Sequence, residues 1–140
     1  MRQILLADDS LSIRQMIRAM LEPEGYFLIE ATDGVEALAA MRMYTEPLVV
    51  LLDYQMPNMD GEDVLREVIG AGPPLSTHEY LVVSANASTF PDSFIDLLRH
   101  LSLRVIPKPF TRETLVTAVA QAAERLDAPP PEPLPNLPDA

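Results

Sequence analysis

Five short apolar runs, separated by segments of helical length, constrain the fold of this 140-residue chain more than any other feature. They occupy residues 4–7, 26–29, 48–52, 80–83 and 103–106. Alternation of such runs with amphipathic segments is typical of repeated βα units, which build a parallel sheet. The nearly unbroken hydrophobicity of residues 48–52 favours strands that are covered by helices on both faces. The pattern therefore predicts an α/β fold, a doubly wound (βα)5 parallel sheet of five strands.

Helical signals fill the segments between these runs. The first helix follows Ser10 and Ser12, and either hydroxyl can cap its start by accepting hydrogen bonds from free amides of the first turn. The second is predicted to begin after Asp33, which has capping-box spacing to Glu36, and to end near residue 44. Further helices are predicted over residues 61–69, from about residue 91 and after residue 111. In the second helix, the residues expected to face the core are Val35, Leu38 and Ala39.

The charge of the chain argues against one class of partner. Lys and Arg total 10 against 21 Asp and Glu, which gives a net charge of −11. Such a surface repels the phosphate backbone that supplies most nucleic-acid affinity, so no direct nucleic-acid binding is expected. The chain has no cysteine, which excludes disulfides and thiolate metal ligands.

The two ends of the chain set the expected boundaries. At the N-terminus, two acids follow a run of only four apolar residues. That run is too short for a signal peptide or a membrane span, so a cytoplasmic location without membrane association is expected. From residue 128 to residue 140, six of thirteen residues are Pro, a composition that favours extended conformations. The predicted organisation is one domain over residues 1–127 and a Pro-rich tail or linker over residues 128–140.

Polar residues follow four of the five predicted strands. Asp8 and Asp9 follow the first strand, Asp53 ends the third, Ser84 follows the fourth and Lys108 follows the fifth. Ligands of open α/β sheets bind at the carboxyl ends of the strands. These five residues are therefore expected to share one pocket, although they are scattered along the sequence.

Carboxylates that converge in one pocket repel each other unless a cation compensates their charge. Mg²⁺ prefers oxygen ligands and usually keeps several waters, so a few carboxylates suit it. A carboxylate such as Asp53 can also act as a nucleophile that forms an acyl phosphate. Lys108 and the hydroxyl of Ser84 would then stabilise charge on the transferred group. The constellation predicts a Mg²⁺-dependent phosphoryl-transfer site.

Five motifs carry a resemblance to a known family. They are the pair Asp8-Asp9, the single Asp53, the turn Met-Pro-x-Met-Asp-Gly at residues 56–61, Ser84-Ala85, and Lys108-Pro109-Phe110. Together they make residues 2–126 resemble the receiver domains of bacterial two-component response regulators. The resemblance implies the flavodoxin-like strand order 2-1-3-4-5.

The same resemblance implies roles for individual residues. Asp53 is expected to accept the phosphoryl group, with Ser84 and Lys108 assisting. The Lys108–Pro109 peptide bond is expected to be cis. The expected Mg²⁺ ligands are Asp8, acting mainly through water, Asp9, Asp53 and the backbone carbonyl of Gln55.

The switch residues implied by the family are Ser84 and Val105. Members usually carry an aromatic residue three positions before the Lys, where its ring turns inward on activation. Val105 occupies this position, and a β-branched side chain has few rotamers and no ring. Activation is therefore expected to move the fourth helix and its preceding loop through Ser84, while Val105 keeps its rotamer.

The resemblance also implies partners: a sensor histidine kinase or phosphotransfer protein as donor, and a downstream effector domain or protein as reader. The domain is not expected to be an enzyme beyond its own phosphorylation and dephosphorylation. One alternative stays open, a receiver-like interaction module that works without phosphorylation. A haloacid-dehalogenase-type phosphatase would need an Asp at Gln55, and a dinucleotide-binding turn would need glycines at Asp8-Asp9. His78 and His100 are predicted to be ordinary surface residues.

Overall fold

A computed structural model describes residues 2–128 as one parallel five-stranded sheet with helices on both faces. The strand order β2-β1-β3-β4-β5 confirms the predicted doubly wound fold. Residues 129–140 of the predicted Pro-rich tail lie outside the described residues. The strands are β1 (Gln3–Ala7), β2 (Phe27–Ala31), β3 (Val49–Asp53), β4 (Glu79–Ser84) and β5 (Arg104–Pro107). The α-helices are α1 (Leu11–Leu21), α2 (Gly34–Met43), α3 (Gly61–Val68), α4 (Asp92–Leu101) and α5 (Arg112–Asp127).

Two hydrophobic cores lie on opposite faces of the sheet. One joins the sheet to α1 and α5 and includes Ile17 and Leu115. The other joins the sheet to α2, α3 and α4 and includes Leu65 and Phe94. All five residues of β3 are buried, as expected for a central strand covered on both sides. The cores cover both faces of the sheet, and the polar residues lie at the carboxyl ends of its strands.

Helix caps explain where several helices begin. Ser10, one of the two predicted candidates, caps α1 by accepting a hydrogen bond from the amide of Ile13. The predicted Asp33 caps α2 through the amide of Glu36. Asp60 and Asp63 form a reciprocal capping box at the start of α3. Side-chain oxygens thus satisfy amides that have no partner within the helix.

The predicted inward face of α2 is partly wrong. Val35 is 51% exposed and Ala39 is also exposed, whereas Leu38 is buried as expected. The residues that pack on the sheet are Ala37, Leu38 and Met41. The rotation of the helix is set at its first residue, because the Gly34 amide donates to the carbonyl of Met59 and brings that backbone close. Sequence periodicity did not contain this long-range contact.

The prediction that His78 is a surface residue is wrong, whereas His100 is exposed as expected. His78 is 6% exposed, and its Nδ1 accepts a hydrogen bond from the Leu48 amide at 2.9 Å. Its Nε2 lies 2.9 Å from the carbonyl of Met41 and donates to it, since Nδ1 is already the acceptor. The imidazole therefore joins the end of α2 to the segment entering β3.

We expect Gly34→Ala to lower the free energy of unfolding by about 2–3 kcal/mol, a typical cost of overpacking. A Cβ at this position would lie 2.5 Å from the Cβ of Met59 and closer still to its carbonyl oxygen. Gly72→Ala is the matched control, because nothing lies within 4 Å of its Cβ position. Urea denaturation measures both variants. Equal stabilities for the two would show that the loop gives way without cost.

No helix within residues 2–128 has the length and apolar character needed to cross a membrane.

Candidate functional site

Three carboxylates meet at the carboxyl edge of the sheet. Asp8 and Asp9 follow β1, and Asp53 ends β3, which pairs with β1 in the middle of the sheet. One carboxylate oxygen from each lies within 4.8 Å of those of the other two. Asp8 and Asp53 are buried, whereas Asp9 is exposed and faces the opening of the site. The structure therefore brings together three acids that the sequence placed at the ends of two strands.

Lys108 completes the charged centre. Its Nζ donates to Asp8 Oδ2 at 2.8 Å and lies 3.4 Å from Asp53 Oδ1. The Lys108–Pro109 peptide bond is cis, as expected, and the Lys108 amide donates to the carbonyl of Ser84 at 2.9 Å. The ammonium group thus bridges two acids from two other strands.

Ser84 stands at the end of β4, beside Pro107 of the neighbouring β5. It is 4% exposed, and its Oγ accepts a hydrogen bond from the Asn86 amide at 3.2 Å. That bond orients the hydroxyl within the loop that leads to α4. The structure therefore places Ser84 at the same sheet edge as the acids and Lys108.

Burial is the main influence on the charge of Asp53. Removal from water and, to a smaller extent, repulsion from Asp8 raise the pKa of its carboxyl, and Lys108 acts in the opposite direction; the net result is a pKa of about 6 instead of 3.8. Burial alone would lower the pKa of Lys108, but its hydrogen bond to Asp8 and the charge of Asp53 raise it overall. Lys108 is therefore a permanent cation, and Asp53 is a carboxylate held at a cost.

The loop between β3 and α3 sets the position of Asp53. The Gly61 amide donates to the carbonyl of Tyr54 at 2.7 Å. A Cβ on Gly61 would lie 2.8 Å from the carbonyl oxygen of Asp53, so only glycine allows the start of α3 to approach this closely. Gln55 is exposed and, with Asp9 and Asp60, lines a depression of about 580 Å³ beside the acids.

The donor set fits a hard divalent cation. It offers carboxylate oxygens and no sulfur or imidazole, which is the chemistry that Mg²⁺ prefers. Both oxygens of Asp8 already have partners, because Oδ1 accepts from the Ser10 amide at 2.9 Å and Oδ2 from Lys108. Asp8 is therefore the most engaged of the three carboxylates, and its water-mediated role stays a prediction.

Sequence reasoning missed one residue that contacts the acid pair. Arg14 of α1 donates from Nη1 to the backbone carbonyl of Asp8 at 2.8 Å and from Nε to Glu30 at 3.0 Å. Its side chain is only 11% exposed. The available signal was its place four residues after Ser10, which turns it back toward the strand ends.

An aromatic cluster starts at the site, and sequence reasoning named its members Phe90 and Phe94 but missed Tyr54. The ring of Tyr54, the residue after Asp53, lies 4.9 Å from the ring of Phe90 and 4.6 Å from that of Phe94. Phe90 and Phe94 meet edge to face at 4.8 Å. Val105 is partly buried against the same core and presents no ring. The aromatic contacts near the site therefore involve the β3 end and α4 and not β5.

Residues 4–120 match the family described as the response regulator receiver domain. The chain belongs to this family, whose members act in two-component signalling and whose role is to accept a phosphoryl group. The fold and the residues at the sheet edge agree with that assignment.

Two curated relatives and one solved structure illustrate the likeness. The response regulator MprA of Mycobacterium tuberculosis is 33% identical over 126 residues, which are 88% of this chain and 51% of MprA. The sensor kinase CckA of Brucella abortus is also 33% identical over 126 residues, 89% of this chain but 13% of CckA. The chain thus spans about half of the length of MprA and a much smaller part of CckA. The receiver domain of the Pseudomonas aeruginosa sensor histidine kinase PA1611, whose structure holds a magnesium ion in the active-site cleft, shares the fold at 22% identity, with a TM-score of 0.75 over 91% of this chain and 98% of that one.

Proposed function

We propose that Asp53 is the residue that accepts the phosphoryl group. The observation that carries the proposal is the position of its carboxylate, buried at the end of β3 between an acid pair and the ammonium of Lys108. Asp8 is engaged by Lys108 and Ser10, whereas Asp9 is exposed and forms no ion pair with any of residues 2–128. Asp53 is thus buried beside an ammonium that contacts one of its oxygens, whereas both oxygens of Asp8 are engaged.

In the proposed reaction, one carboxylate oxygen of Asp53 forms a bond to phosphorus. At the same time the bond from phosphorus to the donor breaks, to a nitrogen in a phosphohistidine or to an oxygen in acetyl phosphate, and the donor keeps the electron pair. Lys108, whose Nζ lies 3.4 Å from Asp53 Oδ1, would hold one phosphoryl oxygen, and the Ser84 hydroxyl would donate a hydrogen bond to another. Both groups offset charge that Asp53 gains on modification.

Mg²⁺ is the proposed cofactor, with Asp9, Asp53 and the backbone carbonyl of Gln55 as ligands and Asp8 acting through water. When bound, the ion supplies positive charge that neutralises the acids and the incoming phosphoryl oxygens. The proposal is supported by the oxygen-only donor set and by the separation of the carboxylates.

A sensor histidine kinase or phosphotransfer protein is the proposed donor, and an effector domain or protein the proposed reader of the switch. The proposed activity of the domain is limited to its own phosphorylation and dephosphorylation. A cytoplasmic location, the absence of direct nucleic-acid binding, and the division into a domain over residues 1–127 and a tail over residues 128–140 stay predictions from the sequence. The competing function, a module that works without phosphorylation, would leave these acids unmodified.

Acetyl phosphate with MgCl₂ tests the assignment directly. Borohydride trapping followed by mass spectrometry should place a single modification on Asp53, and EDTA should prevent it. Asp96→Asn, an exposed acid on α4, is the matched control and should be labelled like the wild type. Labelling of Asp8 or Asp9 would contradict the choice of Asp53. Absence of any label in the wild type with acetyl phosphate and with phosphoramidate would favour the interaction module.

We expect activation to be transmitted through Ser84 to α4 rather than through Val105. Ser84 begins the loop to α4, and the Phe90 and Phe94 rings connect that helix to Tyr54. Ser84 bonding to the phosphoryl group would give the two states the different energies that a shift requires. NMR spectra with and without beryllofluoride should show shifts in α4 that are lost in Ser84→Ala and kept in Val105→Ala. The reverse pattern would assign the switch to β5.

A further inference from the structure

The acid pair is fixed to the rest of the molecule through the backbone of Asp8. The Asp8 amide donates to the carbonyl of Ala31 at 3.1 Å, and the Asp8 carbonyl accepts from Arg14 Nη1 at 2.8 Å. That carbonyl belongs to the peptide unit that joins Asp8 to Asp9, and a peptide unit is planar. The hydrogen bond from Arg14 therefore restrains the orientation of this plane, and with it the direction in which the Asp9 side chain leaves the backbone.

Asp9 depends on its backbone more than Asp8 does. The Asp8 carboxylate is buried and is held by Lys108 and the Ser10 amide, whereas Asp9 is exposed at the opening of the site. A guanidinium can donate hydrogen bonds in two fixed directions at once. Arg14 uses one direction for the Asp8 carbonyl and the other for the Glu30 carboxylate on β2. The arrangement forms a chain of contacts from Glu30 through Arg14 to the peptide that carries Asp9.

We propose that Arg14 is a positioning residue for the metal site, which aims the Asp9 carboxylate at the ion through the Asp8–Asp9 peptide. The inference rests on the proposed Mg²⁺ site. It treats Arg14 as an outer partner of a ligand, and loss of such partners typically weakens metal affinity about 10–100-fold.

The sign of the effect separates positioning from charge. Arg14 is a cation near the site, and removal of a cation alone should make the site more negative and tighten Mg²⁺ binding. Loss of the hydrogen bond to the Asp8 carbonyl should instead let the Asp9 carboxylate turn away and weaken binding. The two roles therefore predict opposite changes for the same substitution.

Arg18 provides a matched control one turn along α1. It also pairs with Glu30, at 2.6 Å from Nη2 to Oε2, but that guanidinium bonds the carboxylates of Glu22 and Glu30 and not the carbonyl of Asp8. Arg18→Gln thus removes the same charge from the same partner and leaves the Asp8 carbonyl bonded. A difference between Arg14→Gln and Arg18→Gln isolates the contact with the acid pair.

Mg²⁺ titrations of the metal-free 140-residue chain, followed by NMR shifts of the Asp9 and Asp53 amides, test the inference. We expect Arg14→Gln to weaken binding about tenfold, at the lower end of the range for outer partners, and Arg18→Gln to leave it nearly unchanged. In an Asp9→Ala background, Arg14→Gln should cause no further weakening of Mg²⁺ binding, since its positioning influence runs through Asp9. Unchanged or tighter binding in Arg14→Gln, or the same loss without Asp9, would overturn the inference.

Arg14→Lys covers the case in which Arg14→Gln does not fold. It keeps the charge, but one ammonium cannot donate along both directions that the guanidinium uses. Weaker Mg²⁺ binding in Arg14→Lys supports positioning, and wild-type affinity contradicts it.

The proposed Mg²⁺ site itself is tested separately by the wild type. If the wild type shows no Mg²⁺-dependent shifts at Asp9 and Asp53, the proposed site fails; if it does and Arg14→Gln matches Arg18→Gln, only the role of Arg14 fails.

Discussion

Asp53→Asn is expected to abolish phosphorylation and, in metal-free buffer at about pH 7.5, to raise the free energy of unfolding by about 2 kcal/mol. The two effects have one cause, because the carboxylate proposed as the nucleophile is also buried beside Asp8. Asn fills the same volume and carries no charge. The gain in the free energy of unfolding thus measures the cost of keeping an ionised Asp53 buried in the folded protein.

The sign follows from the pKa of Asp53. Burial raises it from 3.8 to about 6, so the folded protein holds this proton more tightly than the unfolded chain does. The stability of the wild type should therefore fall as the pH rises from about 4 to about 6, and the advantage of Asp53→Asn should grow over the same interval. Urea denaturation across this range measures it, with Asp96→Asn as the control. An Asn variant less stable than the wild type at neutral pH would show that attraction to Lys108 outweighs burial.

His78→Ala is expected to lower the free energy of unfolding by about 3 kcal/mol, because it leaves the Leu48 amide and the Met41 carbonyl buried without their partner and opens a cavity. His100→Ala removes an exposed imidazole and should change stability little. Urea denaturation at neutral pH compares the two. Similar values for both variants would show that water replaces the His78 contacts without cost.

Burial lowers the pKa of His78, against a smaller opposing influence of the Met41 carbonyl. The folded protein therefore disfavours the protonated imidazole. The stability contributed by neutral His78 should be complete above about pH 6.5 and be lost as the pH falls below that value. Asp53 has the opposite dependence in this range. The loss of stability that His78 causes at low pH is therefore best measured in the Asp53→Asn background. There, His78→Ala should make the free energy of unfolding less dependent on pH.

The sheet and the convergence of its polar ends could be predicted because they depend on periodicities that every segment carries. The apolar run of residues 48–52 indicates a buried strand. The parallel arrangement of the strands predicts that Asp8, Asp53, Ser84 and Lys108 lie at one edge of the sheet. The face of α2 could not be predicted, since it depends on the contact of Gly34 with Met59, which are far apart in sequence.

Contacts between side chains and distant backbone groups explain the other differences. The sequence shows His78 only as a polar residue in a loop, and its burial depends on the Leu48 amide and the Met41 carbonyl, which fold beside it. Arg14 looks like an ordinary charge on an amphipathic helix, and its contact with the Asp8 carbonyl appears only when α1 packs on the sheet. Sequence rules that consider only neighbouring residues cannot predict such contacts between distant residues.

The ion pair between Lys108 and Asp8 joins residues 100 positions apart, from the last strand to the first. Closing a loop of this length costs chain entropy that only the finished sheet repays, and contacts of high sequence separation form slowly. The charged centre therefore assembles only when β1, β3 and β5 are all in place. A chain still emerging from the ribosome, before β5 is available, lacks this centre, so the ability to respond to a donor would arise with completion of the domain and would be an indicator that folding has finished.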